Sequence, residues 1–365
     1  MTEDIADQIY NLQIKAYQLP IGETRLRLYE EALRIAEQSR DLDLIFPARI
    51  HMAYAAGAAG YEEKTMAALA WCLATFEDNE ERFLEYEKTL LLLFQTFLSN
   101  ISQYPNITRD KFEQLAGQLE SLICRFGYSL RSVYLVRLWF AITIGDRLMA
   151  IESHAKYVSY PRDNLGRSVV SEDASEANLE FWYLSFLGET EKAIELASRI
   201  IAEKVSSNCV PHDTYNCVLR LLALLQRYEE ADDYQKRGYR LIRNIRGFLE
   251  LIGHQIAYLL HRGRTAAAIR MFERHLLWGL ETFDLAARYR FYTAAKHLFT
   301  SLSQTKSTCK LSLPSSFPLY KESSEYNISQ LIDWFDKETS SLATAFDQRN
   351  GNDFFSVVIP KQLKY

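Results

Sequence analysis

Between Asn208 and Cys217 the chain reads NCVPHDTYNC, which sets Cys209, His212 and Cys217 within one short stretch. Thiolate and imidazole are the ligands zinc favours, so a metal centre is the first chemistry to consider here. The spacing argues against it. Cys-x2-His-x4-Cys supplies three ligands at most, whereas a closed structural site takes four and pairs its thiols more tightly. The competing reading is a helix start. Pro211 suits the first helical turn, where its missing N–H costs nothing, and Asn208 or Cys209 stands before it as a cap. A structural role is therefore expected for Cys209, His212 and Cys217, with no metal and no cofactor.

Other catalytic arrangements are missing from the sequence. It holds no nucleophile elbow, no phosphate-binding loop, no His-Glu-x2-His helix and no glycine-rich dinucleotide turn. Its seven histidines are scattered, and lone helical ones such as His51, His154 and His275 read as packed or solvated residues rather than bases. The basic run KRGYRLIRNIRG carries Lys236, Arg237, Arg240, Arg243 and Arg246. Its arginines drift around half a helix and are not interleaved with stacking aromatics, which suits a solvated face and not a nucleic-acid groove.

Composition says which elements hold these residues. The chain has 365 residues, 48% hydrophobic and 24% charged, with only 14 Gly and 8 Pro, too few turn-formers for a sandwich or an α/β sheet. A chain this long needs several cores or one that grows by addition. The formal charge of −5 gives no bulk attraction to nucleic acid or anionic membrane. The acidic start MTEDIADQIY lacks the features of a signal peptide. The apolar cluster TLLLLFQTFL is about half the roughly 20 residues that span a bilayer. Five dispersed cysteines make no disulfide framework. A cytoplasmic, all-α protein without membrane contact is expected.

One phrase recurs: an apolar helix, Gly, a few polar residues, then a small residue opening a second apolar helix. Gly145 leads to Ala150, Gly188 to Ala193 and Gly263 to Ala268, while Gln226 stands in the Gly position ahead of Ala231. Weaker copies surround Gly22 and Gly60. Glycine permits the positive φ that ends one helix, and the small residue lets the next approach closely. In GETEKAIELA and RYEEADDY the chain resembles the tetratricopeptide repeat. With RGYRLIR and FDQRNGNDFF it is also similar to a bacterial group of such proteins, a likeness that implies a fold and not a reaction. The resemblance implies a right-handed α-solenoid over residues 1–305, followed by an extended connector at 306–325. A C-terminal capping helix over 326–350, started by Asn327, and a tail over 351–365 complete the chain.

In such arrays the first helix of each unit faces a concave groove. Counting back from the turns places Asn178 and Asn216 at one repeat position, with Arg220 a turn after Asn216. Trp139 and Trp182 share another position, and His254 lies near the same row. Stacked amides can pair with the backbone of an extended peptide, and an arginine can take a carboxylate bidentately. The expected function is non-catalytic binding of a protein or peptide in the groove by Trp139, Asn178, Trp182, Asn216, Arg220 and His254. The alternatives are a cytoplasmic regulator that senses a peptide by changing superhelical shape, and an enzyme whose site assembles from distant residues. Nucleic acid is not an expected partner, and self-association is compatible with the array.

Overall fold

The computed structural model describes residues 2–162, 173–204 and 210–364. These are helical apart from one small hairpin. The helices are α1 (Thr2–Gln18), α2 (Glu23–Ser39), α3 (Leu42–Ala58), α4 (Glu62–Asp78), α5 (Glu80–Phe83), α6 (Glu87–Asn100), α7 (Arg109–Arg125) and α8 (Arg131–Ile144). They continue as α9 (Arg147–Ser159), α10 (Asp173–Leu187), α11 (Thr190–Ala202), α12 (His212–Leu224), α13 (Tyr228–Ile242), α14 (Leu249–His261), α15 (Thr265–Glu281) and α16 (Leu285–Ser303). Helices adjacent in sequence pack as hairpins, and a second line of contacts runs α8–α10–α12–α14–α16. This second line is the inner row of the array.

The joints between paired helices are built alike. The residue after the turn returns its N–H to a carbonyl five residues back: Asp146 to Ala141 (2.9 Å), Glu189 to Leu184 (2.9 Å), Arg227 to Leu222 (2.9 Å) and Arg264 to Leu259 (2.8 Å). Such a closure needs a left-handed residue just before it. Gly145, Gly188 and Gly263 supply it, and Gln226 adopts φ 57° in the same place despite its side chain. The small residues that follow, Ala150, Ala193, Ala231 and Ala268, are fully buried. The repeating phrase is thus a packing device, a tight left-handed stop followed by a close helix contact.

After α16 the chain forms β1 (Thr308–Lys310), paired antiparallel with β2 (Glu325–Asn327), and then α17 (Ile328–Asn350) and α18 (Ile359–Gln362). Residues 306–325 are therefore more than a connector, because the hairpin turns Leu311, Leu313 and Phe317 into the core. Asn327 caps α17, accepting from the Gln330 amide at 3.2 Å. Ile328, Leu331, Phe335 and Phe346 are buried along it.

Residues 351–363 do not form a free tail. A π-helical turn over Phe354–Val358 and then α18 bury Phe354, Phe355, Ile359 and Leu363. Phe346 and Phe355 stack at 4.1 Å, and both join Ala257 of α14 with Ala286 and Tyr289 of α16 in one apolar cluster. The carboxylate of Asp347 accepts the amides of Phe355 (2.8 Å) and Ser356 (2.9 Å), which folds the segment back on α17.

The same segment reaches the N-terminal half. Arg349 donates to the carbonyls of Ser102 (3.0 Å), Tyr104 (3.2 Å) and Ile107 (3.5 Å) in the α6–α7 connection. Arg109 donates to the Asn350 carbonyl (2.9 Å), and the Asn352 amide to the Ile144 carbonyl (2.9 Å). On another side Phe283, before α16, packs on Tyr61 at 4.9 Å, before α4. FDQRNGNDFF thus fastens the C-terminal segment to the α6–α7 connection and to the end of α8. Among the described residues no helix is long and apolar enough to cross a membrane.

Candidate functional site

The inner row carries its polar groups near the starts of its helices. On α12 these are Asp213 and Cys217, on α14 Glu250 and His254, and on α16 Arg290, with Asp284 as N-cap of that helix. Spacing of four places each pair on one helix face, a turn apart. Glu250 lies 3.2 Å from the Arg290 guanidinium and 3.9 Å from the His254 imidazole. About a third of its side chain (32%) stays accessible, so this carboxylate is partly open to solvent.

The carboxyls differ in acidity for local reasons. Burial pushes Glu250 up, but the charge of Arg290 and a hydrogen bond from His254 outweigh it and bring it down to about 2. Burial and the Glu250 charge raise Asp213 to about 7, opposed by a bond from Asn178. Burial also lifts Asp284 to about 6, against the amide of Ala287 that it accepts at 2.8 Å. The cluster therefore holds one carboxylate kept ionised by Arg290 and two whose charged form burial disfavours.

This arrangement has a consequence for stability. An acid raised in the folded state stabilises at low pH, where both states hold the proton, and loses that contribution as pH rises through its folded value. For Asp213 the loss falls between its ordinary range near 4 and about 7. Asp213→Asn is expected to match the wild type at pH 4 and to exceed it by about 1 kcal/mol at pH 8. Thermal melts at the two pH values check this, and an equal difference at both would contradict it.

The candidate groove residues fall into two groups. Asn178 is buried, accepting from Thr214 Oγ1 at 2.9 Å and donating to Asp213 at 3.4 Å. Asn216 is also buried, donating to the His212 carbonyl at 2.6 Å and accepting from Gln255, which in turn accepts from Gln235 at 2.6 Å. Gly238 leaves room for this network, since a Cβ there would lie 3.1 Å from the Asn216 amide. Each Asn reaches the next inner helix, α10 to α12 and α12 to α14. The shared repeat position thus faces the seam between units, and the expectation that these amides line an open groove is corrected: they are satisfied internal groups. Trp139 and Trp182 likewise meet across the α8–α10 seam, edge to face at 5.9 Å. Of the remaining candidates, His254 sits beside Glu250, and Arg220 is partly buried on α12.

Cys209 lies outside the described residues. His212 starts α12 and stacks on Phe248 at 5.0 Å, and burial lowers its pKa. Cys217 is buried, and burial raises its thiol well above the usual range, so it is not a ready thiolate. Among the described residues no group of three or more His, Cys, Asp or Glu is placed to hold a metal. In the basic run, Arg237 pairs with Asp233 at 3.2 Å and Arg246 with Glu281.

Among the described residues, Trp182 Nε1 at the α8–α10 seam is buried without a hydrogen-bond partner. Buried polar groups are normally paired, so such atoms mark places suited to a further donor or acceptor. Sequence reasoning passed over Asp213, Glu250, Asp284 and Arg290. The signal for them was the recurrence of polar residues four apart at the start of successive inner helices. Neither a protein-family model nor a curated protein matches this chain.

Proposed function

We propose that the chain is a non-catalytic binding protein, a right-handed helical array of tetratricopeptide type that holds a protein or peptide segment against its inner row. The observation that carries this reading is that the inner row already holds one polypeptide segment. Tyr289 donates its hydroxyl to the Phe355 carbonyl, Arg290 sits over the Phe355 ring at 5.3 Å, and Phe354 packs on Phe186 of α10. Residues 352–363 cover the apolar part of the row. The polar part, with Asp213, Glu250, His254 and Arg290, is the place for an incoming chain, whose amides and carbonyls suit carboxylate, imidazole and guanidinium partners.

The test is a selection of random dodecamer peptides on the immobilised chain, followed by titration of the enriched peptide. Binding is expected to weaken at least tenfold in Glu250→Gln, about 1.4 kcal/mol, with melting little changed, and to be unaffected by Arg240→Ala on α13. Equal affinity for wild type and Glu250→Gln, or no enrichment at all, would contradict the proposal.

A further inference from the structure

The first helix presents two apolar stripes and the array uses one of them. Ile9 and Ala16 are buried against α2, with Ile5 and Leu12 partly so. Around the helix from these, Tyr10 (62% exposed), Ile14 (39%) and Tyr17 (75%) form a second stripe, and Ile21 (64%) extends it into the turn. Within the helix, the steps of four and three from Tyr10 to Ile14 to Tyr17 average 3.5 residues, the period of a seam between two helices. A line of large side chains at that period is unlike singly scattered surface apolar residues, which need no explanation. The opposite end of the array is covered by α17, whereas no described residue covers this side of α1.

We propose that this stripe is a self-association surface, pairing α1 antiparallel with α1 of a second copy of the chain about a twofold axis. Charge selects that occupant and orientation. Exposed Asp7 stands one turn ahead of Tyr10, and at the other end the Arg25 guanidinium lies over the Tyr17 ring at 5.5 Å. Antiparallel pairing brings Asp7 of each copy to Tyr17 and Arg25 of the other, and the twofold makes the contact twice. Parallel pairing would set Asp7 on Asp7 and Arg25 on Arg25. The exposed residues flanking the stripe, Asn11 and Gln18, are uncharged amides, so no like charges oppose across the antiparallel seam.

Light scattering coupled to size exclusion tests this on the full chain, from about 1 to 100 µM, with reductant present because Cys124 is exposed. The wild type is expected at twice the chain mass at the upper concentrations. Tyr17→Glu should be monomeric throughout with unchanged helicity. Asp7→Lys should weaken the dimer at least tenfold, and adding Arg25→Glu should restore it. A wild type that stays monomeric at 100 µM would overturn the proposal, as would a dimer that survives Tyr17→Glu or a charge reversal without rescue.

Discussion

Arg349→Met is expected to destabilise the chain by about 2–3 kcal/mol and to release residues 346–363. The guanidinium serves three carbonyls at the end of the α6–α7 connection, and methionine fills the space of its stem but donates nothing. Each buried acceptor left without a donor costs about 1–3 kcal/mol. Part of this is offset, because Arg349 itself is held under strain. Burial, with the charge of Arg109 added, brings it down to about 10, and removing the charge relieves that cost. Arg349→Lys should fall between, since an ammonium reaches fewer of the three carbonyls. Urea denaturation gives the values, and a methionine variant as stable as the wild type would contradict the fastening role.

Gly145→Val is expected to be the more damaging change, above about 3 kcal/mol. At φ 79° a β-branched residue is strained by its backbone alone. A Cβ built there would also lie 2.3 Å from Phe354 Cγ, a contact that no rotamer of the new residue relieves. Gly188→Val provides the reference, because Gly188 has φ 83° and open space where its Cβ would go. That variant should lose only the backbone term, about 1 kcal/mol. The difference between the two measures how firmly Phe354 is seated. Equal losses would mean that the C-terminal segment does not pack on the α8–α9 joint.

The joints were legible because they are local. A left-handed stop and a small residue five positions later act within one hairpin, so Gly145, Gly188, Gly263 and even Gln226 announce themselves. The closure was not. Arg349 meets Ser102 across 247 positions, and nothing in a run of Phe, Asp, Arg and Asn names a partner so distant. The site was legible in register and not in direction. Asn178 and Asn216 do share a repeat position, but that position points along the row to the next helix. Asp213 and Glu250 were hidden by an ordinary habit of helices, which favour acids in their first turn.

Hydrogen exchange with and without the selected peptide tests the binding proposal most directly. The account predicts that bound peptide slows exchange in the first turns of α12 and α14, around Asp213 and Glu250, while residues 346–363 are already protected in the free chain and stay so. Protection that instead maps to α13 and α15, with the α12 and α14 starts unchanged, would place the ligand on the outer helices and contradict it.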